Sequence, residues 1–93
     1  MNSVNETLQE RGSRYGSFKN HAFIAQSFKR VMENTPSFKD LTDPQRQALE
    51  VIFDKIARIL NGDPSYIDNW HDIQGYAKLV EDVLNGPKET AIP

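Results

Sequence analysis

A chain of 93 residues, 38% hydrophobic and 26% charged, is bounded to one globular domain with a modest core. A net charge of -2 and no cysteine exclude a broad basic face for nucleic acid, a disulfide framework and thiolate metal sites. No apolar run approaches the roughly 20 residues of a membrane helix and the N-terminus lacks a signal-peptide core, so the expected location is the cytoplasm. Small domains without such staples often gain stability by self-association, which makes a homodimer or higher homo-oligomer the expected state.

The predicted elements are all helical, because no stretch alternates apolar and polar residues for long. Val4–Phe18 reads as one or two helical turns followed by a loop punctuated by Gly12 and Gly16. A helix over about residues 20–33 follows, with Ile24, Phe28 and Val31 at helical spacing and His21 inside the same arc. Pro36 marks the connection Thr35–Leu41.

The next helix, over about 43–60, opens with Thr42 as cap and Gln45 completing a capping box. It is expected to stop at Asn61-Gly62, with Gly62 in the left-handed conformation. A tight turn over Gly62–Ser65 leads into a last helix over about 66–84, ended by Asn85-Gly86-Pro87. The expected fold is all-α: a small bundle with two long antiparallel helices, an N-terminal helix and a short helical turn before it. One domain spans 1–93, with segment 1–17 partly ordered and 87–93 a flexible tail.

Two charges sit where leucines would serve. In the third element, Leu49, Ile52, Phe53, Ile56, Ile59 and Leu60 share a face that is expected to be core, and Lys55 falls on its edge between Val51 and Ile59. In the fourth, Trp70, Ile73, Ala77, Val80 and Leu84 form the expected seam. Tyr76, Leu79 and Val83 widen that arc, and Asp72 lies within it. A carboxylate in such a place needs a partner, which can be Lys55, His21 or a tyrosine hydroxyl.

The functional reading is that Glu50, Asp54, Asp68 and Asp72 gather Mg²⁺, which one or two carboxylates hold together with waters and phosphate oxygens. Gly75, inside a helix on the side of Asp68 and Asp72, marks either close packing or the approach of a ligand. Arg11, Arg14 and Lys19 flank Tyr15, and guanidinium with an aromatic ring suits phosphate and base of a nucleotide. Nothing supports nucleophilic catalysis or a phosphate-binding loop of the Walker type.

The stretches "ERGSRYGSFKNH" and "KIARILNGDPSYIDNWHDIQGYAKLV" resemble a family of small proteins from tailed phages and prophages. "DNWHDIQGYA" is more distantly similar to the last core helix of MazG-like all-α nucleotide pyrophosphohydrolases. That resemblance implies an oligomeric, Mg²⁺-dependent enzyme that splits a nucleoside triphosphate into monophosphate and pyrophosphate. Glu50, Asp54, Asp68 and Asp72 would be metal ligands, with Lys55 and Asp72 as the catalytic pair. Arg14, Tyr15, His21, Lys55, Arg58 and Tyr76 would bind the nucleotide. The phage origin implies the host cytoplasm. One departure stands out: the Glu-Glu-x-x-Glu cluster of those enzymes is replaced here by "ALEVIFDK". The alternative is therefore a non-catalytic helical module that binds a nucleotide signal or a host protein.

Overall fold

The computed structural model describes residues 3–86, the side chains of residues 13 and 14 excepted; the expected tail 87–93 lies outside the described residues. Among the described residues the fold is all-α: α1 (Val4–Tyr15), α2 (Phe18–Glu33), a 3-10 turn (Phe38–Asp40), α3 (Asp43–Asn61) and α4 (Ile67–Asn85). No helix is long and apolar enough to cross a membrane.

Local chemistry sets most of the ends. Ser3 and Glu6 close a capping box on α1, and Thr42 and Gln45 close another on α3. The hydrogen bonds from Ser3 also hold the Glu6 carboxyl below the usual glutamate range. Ser17 accepts from the backbone N–H of Asn20, so α2 begins two residues earlier than the apolar pattern implies.

Three expectations need correction. The first element is a 12-residue helix that runs straight through Gly12, because the capping box nucleates it and Gly12 meets nothing that would break the turn. Gly62 is not left-handed: its φ is -142°. Positive φ occurs instead at Gly16 and Gly86, which end α1 and α4.

α3 lies in the middle, packed between α2 and α4, and α1 rests more lightly on α3 and α2. Both neighbours run antiparallel to α3: on α2 His21 meets Asp54 and Glu33 meets Arg46, and on α4 Asp72 meets Lys55 while Val80 and Val83 share a groove with Pro44 and Ala48. The result is close to a single layer of helices, and its core is thin. The buried apolar residues are Ala25, Met32, Ala48, Ala57 and Ile59.

The third correction follows from that layering. Of the stripe on α3, Ile59 alone is buried; Leu49, Ile52, Phe53 and Ile56 are half-buried and Leu60 is exposed. The inward side of α4 is also turned relative to the expected seam. It carries buried Asn69 and half-buried Asp72, Ile73, Tyr76 and Val80, while Trp70, Ala77 and Leu84 are exposed. Trp70 is tied down by its ring N–H, which donates to the Pro64 carbonyl at 2.8 Å.

Gly75 is exposed, and a Cβ added to it would meet no atom within 4 Å. The close packing considered for it is absent within this chain. Gly75→Ala should therefore stabilise the fold by about 0.5–1 kcal/mol, the helix propensity difference alone. A lower urea midpoint than wild type would show that something does approach the backbone there.

Candidate functional site

A cleft of about 480 Å³ opens where the α1–α2 turn crosses α3. Leu8, Arg11 and Tyr15 come from α1, Phe18 and His21 from α2, and Asp54 and Arg58 from α3. Its size lies within the range of small-molecule pockets.

A short chain of contacts organises the α3 wall. Asp54 bridges two side chains: its Oδ1 lies 2.7 Å from His21 Nε2, and its Oδ2 lies 3.3 Å from Arg58 Nε in an ion pair. The His21 side chain is 13% exposed, and its buried Nδ1 meets no partner among the described residues. Arg58 in turn lies over the Tyr15 ring, 4.9 Å from its centroid, with Arg11 also over that ring at 5.3 Å. Tyr66 packs edge-on against Tyr15, and Phe18 stacks on His21.

Asn61 holds this assembly in register. Its Nδ2 donates to the Tyr15 carbonyl at 2.7 Å and the Ser17 carbonyl at 2.9 Å, while its Oδ1 accepts from Asn20 Nδ2 at 3.0 Å. Gly16, enclosed by these bonds, has φ 77° and ψ -165°, a conformation open essentially to glycine alone. The last residue of α3 thus anchors the α1–α2 turn and sets where Tyr15 and Phe18 stand.

Of the residues singled out in the sequence, Tyr15, His21, Asp54 and Arg58 meet at this cleft. Arg14 lies on α1, and its side chain is outside the described residues. The others stand elsewhere. Lys55 pairs with Asp72 at 3.0 Å between α3 and α4, which answers what partners that carboxylate. Glu50 accepts from Arg46 at 3.0 Å. Asp68 accepts from the Tyr66 hydroxyl at 2.9 Å. Tyr76 lines a separate, apolar groove with Pro44, Ala48, Leu79, Val80 and Val83.

Glu50, Asp54, Asp68 and Asp72 therefore do not converge. Among the described residues no three His, Asp or Glu side chains come together as a metal site. The four-carboxylate set does not fit a shared Mg²⁺ in this arrangement. Asp54 alone of the four lines the cleft.

Sequence reading passed over Leu8, Phe18 and Asn61. Leu8 and Phe18 carry no chemical signature, and Asn61 looked like a helix stop. The signal in hindsight is the pairing of a Gly in the first loop with an Asn at a distant helix end, which sequence spacing cannot relate.

Residues 1–84 match the family described as "Domain of unknown function (DUF6378)", and the chain belongs to that family. No curated protein and no solved structure matches it.

Proposed function

We propose that this protein binds a nucleotide, or a phosphate ester with an aromatic base, in the cleft between α1, α2 and α3. The observation that carries the reading is the pair of guanidinium groups, Arg11 and Arg58, set over one tyrosine ring at the wall of a nucleotide-sized cleft. Asp54 approaches Arg58 at Nε, which leaves the terminal nitrogens of the guanidinium for phosphate oxygens. Leu8 and Phe18 supply an apolar wall for a base.

Binding without turnover is the form the geometry supports best, because Glu50 and Asp72 are each engaged by a basic side chain away from the cleft. Mg²⁺-dependent pyrophosphohydrolysis is the second reading. What favours it is Asp54, a carboxylate in the cleft itself, since Mg²⁺ is commonly held by one or two carboxylates plus substrate phosphates.

Thermal shift against a panel of nucleoside mono-, di- and triphosphates, with and without Mg²⁺, tests both readings when pyrophosphate release is followed in parallel. The expected result is stabilisation without turnover. Arg58→Gln should weaken binding about tenfold or more through loss of a charge-assisted contact, and Tyr15→Leu should do the same by removing the ring that seats both guanidinium groups. A panel that shifts neither wild type nor variants removes the nucleotide reading, whereas Mg²⁺-dependent release of pyrophosphate replaces it with the enzymatic one.

A further inference from the structure

On α3, Arg46, Phe53 and Asp54 reach α2, through Glu33, Phe28 and His21. Pro44, Ala48 and Lys55 reach α4. At about 100° per residue these two groups lie on roughly opposite sides of the helix. One of the arcs between them carries Asp54 and Arg58, and faces the cleft. The other carries Leu49, Ile52, Ile56 and Leu60, spaced by three and four residues, and no helix among the described residues covers it. None of the four is buried, and Leu60 is 63% exposed.

The same face continues on both neighbours. Phe28 stacks on Phe53 at 5.6 Å and places Ile24 and Val31 of α2 beside the arc; Val31 is 66% exposed. On α4 the antiparallel packing places Ile73, Ala77 and Leu84 there, with Trp70 at the edge. None of these positions is Asp, Glu, Lys or Arg; Glu81, one turn from Ala77 and Leu84, borders the face on α4. The three-helix layer thus carries both the cleft and the smaller groove at Tyr76 on one side, and a continuous, largely apolar face on the other.

We propose that a second copy of this chain covers this apolar face, layer against layer, to form a homodimer with α3 at the centre of the interface. A folded domain needs two packed layers around its core, and this chain supplies little more than one. The thin core agrees: among the described residues the buried apolar side chains are Ala25, Met32, Ala48, Ala57 and Ile59, three of them alanines. An uncharged face meets its own copy without repulsion, and the two-fold arrangement it implies is the commonest in soluble oligomers. The cleft lies on the opposite side of the layer and remains open in such a dimer.

Light scattering of the full chain, with melting temperature followed over a range of concentration, tests the proposal. Wild type should have twice the mass of one 10.6 kDa chain, and its melting temperature should rise with concentration. Leu60→Asp and Val31→Asp should weaken the dimer at least a hundredfold. Phe23→Asp, at a residue also 66% exposed but on the outer side of α2, should leave it intact. Leu60→Lys, a charge that the C-terminal turn of α3 favours, should dissociate the dimer as Leu60→Asp does, which separates the interface from the unfavourable carboxylate at that helix end. Wild type at single-chain mass with a concentration-independent melting temperature overturns the proposal, as does a dimer that survives both Leu60→Asp and Val31→Asp. A failure here leaves nucleotide binding untouched, because the cleft residues are not on this face.

Discussion

Replacing Gly16 by alanine should release α1 from the rest of the protein and abolish ligand binding in the cleft. A Cβ at this position would stand 2.0 Å from the Asn61 carbonyl oxygen and 2.7 Å from its side-chain nitrogen. Backbone cannot yield by that much without breaking the Asn61 bonds to the Tyr15 and Ser17 carbonyls. The positive φ adds a penalty of about 1–2 kcal/mol for any residue with a side chain.

The damage should stay local, because α1 makes few contacts with the other helices and carries exposed Val4 and Leu8. Hydrogen exchange should show loss of protection over residues 4–15, while α3 and α4 keep theirs. Asn61→Ala should reproduce the effect in part, since it removes the same anchor without the collision. Unchanged protection of α1 in Gly16→Ala would mean that the turn tolerates another conformation, and that Asn61 does not set the position of Tyr15.

The pair Lys55–Asp72 should respond unequally to removal of its two members. Lys55 has a side chain only 15% exposed, whereas Asp72 is 42% exposed. Asp72→Asn takes away the counter-charge of an ammonium largely out of water, and should cost about 1–3 kcal/mol in urea denaturation. Lys55→Met removes that ammonium and keeps most of the apolar stem, on the side of α3 that also carries Val51 and Ile59. It leaves Asp72 able to reach water, so the variant should lie within about 1 kcal/mol of wild type.

A double-mutant cycle then separates the pairing from the burial of the lysine. The reverse order, with Lys55→Met the more damaging, would show that Asp72 rather than Lys55 is the charge in need of a partner. An Mg²⁺-dependent thermal shift lost in Asp72→Asn would instead return Asp72 to the metal-binding role that resemblance implies.

Part of the secondary structure was legible in the residues. The box Thr42–Gln45 acts within one helical turn and marks the start of α3 by itself; the box Ser3–Glu6 and the cap at Ser17 act just as locally, but the glycines beside them obscured the length of α1 and the start of α2. The apolar spacing on α3 and α4 likewise determined which residues share a face. It also isolated Lys55 and Asp72 as charges that required explanation, and marked Tyr15 with Arg11 as a place for an anion and a ring.

Tertiary structure alone decided the rest. Sequence allowed Asp72 to meet Lys55, His21 or a tyrosine, and the packing of α3 between α2 and α4 gave Lys55 to Asp72 and His21 to Asp54. The anchoring of Gly16 by Asn61 joins positions far apart in the chain, where local propensity has no reach. Periodicity named the stripe of Leu49, Ile52, Ile56 and Leu60 and could not say how many helices arrive to cover it. A helical face records which side chains prefer to leave water; whether this chain or a second copy removes them from it depends on how the helices are arranged.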